Sequence, residues 1–367
     1  MAIPLLDLKR EYATIKEDVQ QAMAATLETM HLLKGENVTA FEREIAAYIG
    51  TTHASGVASG TDALLLSVLG LGIGAGDEVI IHTNAFAADL EAVHFAGAQP
   101  VLVDVEADGL GPDAEAVARA ITPRTRAVLV VHLYGSPLQL DAVETICRQH
   151  QLALIEDCSH AHGASRGGRR VGSAGRAGCF SCGVVKNLGA YGDAGFVTTS
   201  DAELLTRLRL LQTHGQEKKN HHVLYGFNSR LDEMQAAVLR VKLRYLDARN
   251  RRRQQIAAYY GERFGAFDVA VPRELPGEVH VYHQYVIRTP ARERLRAHLQ
   301  GAGVETGVHY PVPLHRQPSW QSRYRTSPSF PRAERLADEI LSLPVFPDLT
   351  DAEVEHVTGA VTAFFQQ

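Results

Sequence analysis

CFSCGVVKNLGAYGDAG, residues Cys179–Gly195, opens as an apolar run over Cys179–Val185, carries a single lysine at its end, and enters a glycine-rich turn at Gly189, Gly192 and Gly195. Its length and apolarity predict a short buried strand. A lysine at such a strand end is chemically unusual. Burial disfavours the ammonium form and lowers its pKa, and only the free amine is a nucleophile. Lys186 is therefore a candidate Schiff-base lysine; taken alone, the segment also reads as a strand-end lysine snorkelling into water.

A second stretch upstream changes the balance. In QLALIEDCSHAHGA, Gln151–Ala164, the run Leu152–Ile155 is too short for a helix and suits a buried parallel strand, with Glu156 and Asp157 at its C-terminal end. Ligands of open α/β sheets bind at that end. An aspartate at one strand end and a lysine at a later one are the two fixed points of a pyridoxal phosphate site. The aspartate keeps the pyridine nitrogen protonated and the lysine holds the aldehyde as an imine.

Composition is consistent with a soluble enzyme. The 367 residues suffice for one large and one smaller domain, and 45% apolar and 22% charged content is ordinary. A net charge of −5 without any basic arm argues against nucleic acid as a partner. The amino terminus lacks a signal-peptide pattern and no apolar run reaches a membrane-span length, so a cytoplasmic protein without membrane association is expected. Four cysteines argue against a disulfide framework. Cys179 and Cys182 form a C-x-x-C, but residues three apart on a strand face opposite sides, so no metal site is expected.

Taken in order, residues 1–50 read as mostly helical, with Phe41, Ile45, Ala46 and Ile49 on one stripe and Gly50 as a stop. At Ser59-Gly60 a turn opens a helix through Thr61, Asp62 and Ala63–Leu66, which leaves N–H groups free to hold an anion; Thr61 or Asp62 merely capping the helix is the alternative. Strands are predicted at Glu78–His82, Pro100–Val105 and Ala127–Leu133, and helices at Ala87–Ala96 and Asp141–His150. This alternation implies a mostly parallel sheet flanked by helices. Phe86 lies just past a strand, on the ligand side. A long helix is expected from Leu231 to about Arg263, with the basic run Arg249–Arg253 on a solvated or interface face. A strand over Val279–Ile287 and helices at Ala291–Ala302 and Arg332–Ser342 complete a smaller α+β unit. The predicted division is a large domain over 1–245 and a small one over 246–367.

SGTDAL (Ser59–Leu64), IEDCSHAHGA (Ile155–Ala164), FSCGVVKNLGAYGDAG (Phe180–Gly195), GFNSRLDEMQAA (Gly226–Ala237) and HYPVPLH (His309–His315) together resemble the DegT-type nucleotide-sugar aminotransferases. The resemblance spans nearly the whole chain. It implies an α/β, fold-type I aminotransferase using pyridoxal 5'-phosphate. By position, Lys186 would form the internal aldimine, Asp157 would meet the pyridine nitrogen, His160 would lie beside the ring hydroxyl, and Phe86 would stack on the ring. Gly60, Thr61, Asp62 and Ser181 would cradle the phosphate. Asn228 would serve the neighbouring subunit of a homodimer with shared active sites. The donor would be L-glutamate, passing through a pyridoxamine form.

The segments His214–His222 and His309–His315 look like the branch that aminates 3-keto nucleotide sugars. That makes Lys219, Arg230, His309, Tyr310 and His315 the candidates on the substrate side. Several positions depart from the family pattern: His160 replaces the usual Gln, Cys182–Val185 replace an aromatic and a proline, Ala194 interrupts GDGG, and Asp89 stands where threonine is common. A keto-cyclitol or other non-nucleotide ketone is the alternative acceptor. A dehydratase is disfavoured by the intact Lys186. A cofactor-binding regulator without turnover is the reading from another class.

Overall fold

The computed structural model describes residues 2–107, 109–325 and 328–366. Seven strands, β1 (His53–Val57), β2 (Glu78–His82), β3 (Gln99–Val103), β4 (Thr125–Val131), β5 (Ala153–Asp157), β6 (Ala177–Ser181) and β7 (Gly195–Thr199), form one sheet in the order β1-β7-β6-β5-β4-β2-β3. Strands β2 to β6 pair in parallel, and β7 runs against both β6 and β1. The expected mostly parallel sheet is therefore present.

Period-two side chains explain its layers. Val79 and Ile81 of β2, with Leu129 and Val131 of β4, pack under the helices α3 (Gly60–Gly70) and α4 (Ala87–Phe95). Ile80, Val128 and Val130 face the other way, toward Val117 and Val143 of two helices at Ala114–Ala120 and Asp141–Gln149. Both faces are apolar because both are covered. Each fully buried aliphatic side chain contributes about 1.5–3 kcal/mol over leaving it in water.

Two helices near the amino terminus, α1 (Leu8–Thr29) and α2 (Glu36–Ile49), pack with the 32-residue α8 (Glu233–Phe264), two further helices at Ala114–Ala120 and Asp141–Gln149 being α5 and α6 and that at Ala202–Leu211 being α7. Phe41, Ile45 and Ile49 of α2 lie in one core, and Gly50 ends the helix in the left-handed region, φ 90°. α8 joins two cores. Leu246 belongs to the core behind the sheet, while Ile256, Tyr260 and Phe264 pack on β8 (Tyr285–Arg288) and β9 (Ile340–Leu343).

Several expected boundaries move. The strand anticipated over Cys179–Val185 ends at Ser181, where pairing with β7 stops, and Lys186 sits in a turn in which its N–H donates to the Gly183 carbonyl (2.9 Å). The expected strand over Val279–Ile287 is broken: Glu278–Val279 pairs with Ser165–Arg166, and only Tyr285–Arg288 joins β9, with Tyr282 between them at φ 43°. The helix expected to Ser342 stops at Glu339, and Ile340–Leu343 is a strand. The basic run in α8 is only partly solvated, with Arg251 exposed. Arg249 pairs with Asp348 (2.5 Å), and buried Arg253 donates to the carbonyls of Tyr282 and Val345. Cys179 and Cys182 enter different cores, as opposed faces require.

Candidate active site

The site begins with Asp157, the last residue of β5. Its backbone carbonyl accepts from the His132 N–H (2.9 Å), and its Oδ1 accepts from the Ser159 N–H (2.9 Å). Its neighbour Glu156 points into the protein. There the carboxylate accepts from His132 Nε2 (3.0 Å) and from the N–H groups of Gly172, Ala174 and Gly175. His132 Nδ1 accepts from the Leu138 N–H, so the ring carries its proton on Nε2 and donates to Glu156. Burial raises the Glu156 pKa, but these donors outweigh it and hold the group below its ordinary value. His132, Glu156 and Cys158 lie within metal-ligand spacing of one another. Four donors already saturate that carboxylate, so the cluster is structural.

Asp157 lines a cavity of about 180 Å³ together with Ser59, Gly60, Thr61, Phe86, His160, Ser181, Lys186 and Tyr310. A larger hollow of about 500 Å³, bounded by Tyr134, Arg166, His280 and Gln284, contains neither Lys186 nor Asp157. Lys186 is lowered below its ordinary pKa, chiefly by burial, although Asp157, Cys182 and Asp89 pull the other way. Burial also holds His160 well below its ordinary value, with the Lys186 charge adding to the effect. The neutral His160 ring accepts the Tyr134 N–H at Nδ1 (3.3 Å). Its proton is therefore on Nε2, 3.5 Å from the Tyr310 hydroxyl.

One wall of the cavity is the start of α3. Ser59 caps the helix, its Oγ accepting from the Asp62 N–H (3.1 Å), while its carbonyl accepts from the Ala63 N–H (3.0 Å). The first two N–H groups, of Gly60 and Thr61, are left at the helix end. A Cβ on Gly60 would stand 2.4 Å from the Ser181 Cβ, and one on Gly195 2.4 Å from the Ser59 carbonyl oxygen. Both glycines are thus required for β6 and β7 to close against the helix start. Phe86, half exposed at the head of α4, lies 5.3 Å from the Tyr310 ring.

The structure does not bring every candidate to this cavity. Asp62 turns aside and accepts from Ser229 Oγ (2.9 Å). Lys219 and Asn228 are exposed, Lys219 in the turn between Gln216–Lys218 and His221–His222, and Arg230 is half-buried; none lines the cavity. His309 adjoins through its backbone carbonyl, which accepts from the Tyr134 hydroxyl (2.6 Å), while its ring bonds Ser342. His315 is wholly buried between Thr83 (2.8 Å) and Glu334 (3.0 Å), away from the cavity. Ser159 and Asp193 line the cavity without having been singled out from sequence, and Ser59, read there as a turn residue, is the cap in place of Thr61 or Asp62. The cap preceding a helix was the one signal that could have found Ser59.

Comparison with known proteins gives the same picture. The family model of the DegT/DnrJ/EryC1/StrS aminotransferases matches residues 13–362. A dTDP-3-amino-3,4,6-trideoxy-alpha-D-glucose transaminase of Streptomyces venezuelae is 44% identical over 360 residues, covering 98% of this chain and 95% of the relative. A UDP-N-acetyl-3-dehydro-alpha-D-glucosamine 3-aminotransferase of Acidithiobacillus ferrooxidans is 40% identical, covering 98% and 97%. Among solved structures, S. venezuelae DesV in complex with a ketimine intermediate superposes with a TM-score of 0.97 at 43% identity, covering 100% of this chain and 99% of that one. With the sheet, the lysine–aspartate cavity and a match over almost its full length, this chain belongs to the DegT/DnrJ/EryC1/StrS aminotransferase family.

Proposed function

We propose that the chain binds pyridoxal 5'-phosphate in the Lys186–Asp157 cavity and transfers an amino group from L-glutamate to the C-3 ketone of a nucleotide-linked sugar. The observation that carries this reading is that one cavity gathers an amine with a disfavoured ammonium form, a strand-end carboxylate and an open helix start. Those donors and acceptors fit the cofactor. The free N–H groups of Gly60 and Thr61 and the Ser181 hydroxyl suit a phosphate. Asp157 suits a protonated ring nitrogen, and Lys186 would hold the aldehyde end. The gap that Gly60 keeps open against Ser181 supports the same use.

When bound, the cofactor supplies a protonated ring that draws electrons from the amine-bearing carbon of the substrate and acidifies its C–H. Lys186 Nζ, once free, is the base that takes that proton and returns it elsewhere. His160 would offer its Nε2–H to the ring hydroxyl, and Phe86 would present its ring face. Asp62 steadies the helix start through Ser229. Lys219, Arg230, His309 and Tyr310 are assigned to the substrate side; His315, enclosed between Thr83 and Glu334, is not. Val223, Tyr225 and Phe227 stand exposed around Asn228, which supports a homodimer in which Asn228 reaches the neighbouring site. The small domain over 246–367 and a cytoplasmic location belong to the same proposal. No helix among the described residues is long and apolar enough to cross a membrane.

A single-turnover spectrum tests the reaction. L-Glutamate should bleach the visible band of the cofactor-loaded protein, and one member of a panel of 3-keto and 4-keto dTDP- and UDP-sugars should restore it. Restoration by a keto-cyclitol alone would move the acceptor class. Failure to bleach with any amino donor would leave a cofactor-binding regulator and defeat the proposal.

A further inference from the structure

The hydrogen bonds of His160 hold its ring loosely. The Tyr134 N–H reaches Nδ1 at 3.3 Å and the Tyr310 hydroxyl stands 3.5 Å from Nε2, both beyond the usual length. The ring also packs on His283, which does not line the cavity; the two centroids lie 4.4 Å apart at 42°. At that spacing the rings are in contact, so neither turns without displacing the other. Packing on His283 therefore does more to place His160 than its own polar contacts do.

His283 is fixed in turn by Asn187, the residue after Lys186. Asn187 Nδ2 donates to the Val281 carbonyl (3.0 Å) and to Asn250 Oδ1 (3.0 Å) on α8, and Asn250 Nδ2 donates to the His162 carbonyl (2.9 Å). Main-chain carbonyls only accept, so both amides have one orientation and Asn187 Oδ1 is left as an acceptor. His283 Nδ1, 3.1 Å away, therefore carries a proton. Burial, then His160, Lys186, Arg253 and His162, holds His283 well below its ordinary pKa, so the ring is neutral and its Nε2 is bare. After burial, Lys186, His309 and His162 act on His160 in the same direction. The backbone interlocks the same two segments. The N–H groups of Val281 and Gln284 donate to the carbonyls of Gly135 (3.0 Å) and Tyr134 (3.1 Å), and the Tyr134 N–H is the one that meets His160.

We propose that His283, set by Asn187, is a positioning residue whose ring backs His160 from outside the cavity and aims the His160 Nε2–H at the cofactor's ring hydroxyl. This rests on the cofactor site proposed above. Asn187 is one residue from Lys186, so a single amide ties the turn that carries the amine to the ring that backs His160. A donor to the hydroxyl oxygen favours its anionic form. The aim of His160 would thus set the pH at which the visible band of the loaded protein changes.

The experiment has two arms. The first uses cofactor-free wild-type protein with 15N in its histidine rings, the His283 signals being assigned with His283→Phe. At about pH 7, where an ordinary histidine is still partly charged, His283 should be neutral with its proton on Nδ1. In the second arm, on protein loaded with pyridoxal 5'-phosphate, His283→Ala should move the pH midpoint of the visible band upward by about one unit, the order of one hydrogen bond to a charge. His283→Phe, which returns a ring to the same place, should lie nearer wild type than the alanine variant does. A His283 proton on Nε2, a charged His283 at neutral pH, an alanine variant with the wild-type midpoint, or Phe shifted as far as Ala would each overturn this proposal alone. The nitrogen arm reads wild-type protein, so it decides the matter even if the alanine variant does not fold. Wild-type protein that develops no visible band with the cofactor would overturn the site reading with it.

Discussion

Lys186 and Asp157 were legible because a charge at the end of an apolar run is a costly placement that needs a reason. Lys186→Ala should leave far-ultraviolet circular dichroism unchanged, abolish the visible band of the cofactor, and lower turnover on the order of 10³-fold or more. A retained band would remove the lysine from its assigned role. Glu156, one residue away, has the opposite character. With no exposure and four donors, Glu156→Ala strands those donors in the core and should cost about 3–5 kcal/mol by urea unfolding. Adjacent acids in sequence thus serve chemistry and architecture separately, and strand alternation sends them to opposite faces. Small polar residues such as Ser159 were not legible, since a serine in a loop looks the same whether or not it lines a cavity.

Among the elements, the helix starts show how remote residues complete local ones. Gly35 precedes α2 and offers no side-chain cap. The carboxylate of Glu233, from the start of α8, accepts instead from the N–H groups of Gly35 (2.7 Å), Asn37 (2.9 Å) and Val38 (3.0 Å). A Cβ on Gly35 would stand 2.8 Å from the Glu233 Cδ, so a side chain there would push the carboxylate off its three donors. Glu233→Ala should cost about 3 kcal/mol in urea unfolding, and Glu233→Gln less, because the amide oxygen still accepts. An alanine variant as stable as wild type would refute this cross-chain cap. Strand and helix types were largely readable from periodicity, but their ends were not. β6 stops where β7 ceases to pair, and Ile340–Leu343 is a strand because Tyr285–Arg288 lies beside it.

At the scale of the whole molecule, the protein buries several histidines. Burial holds His82, His162 and His280 down at about 3, and His160 and His283 well below their ordinary value near 6.5. The unfolded chain therefore binds more protons than the folded one below pH 6.5. Stability present above that pH is lost as pH falls, at about 1.4 kcal/mol per pH unit for each titrating histidine. The urea midpoint of the cofactor-free protein should be nearly flat from pH 7 to 8 and fall steeply from 6 to 4. His162 has both ring nitrogens buried without partners among the described residues and packs on Phe180 and Phe196. His162→Phe should shift the acid midpoint to lower pH; an unchanged midpoint would exclude it as a contributor.

By itself the sequence determined the α/β class, the lysine–aspartate pair and the helix start beside it, because alternation, charge at apolar run ends and turn residues are local signals. Only tertiary structure decided that Arg253 is buried and that His315 is enclosed between Thr83 and Glu334 rather than lining the cavity. Those outcomes depend on which distant backbone or side chain supplies a partner, and burial with a partner is a property of packing that no single stretch of chain carries.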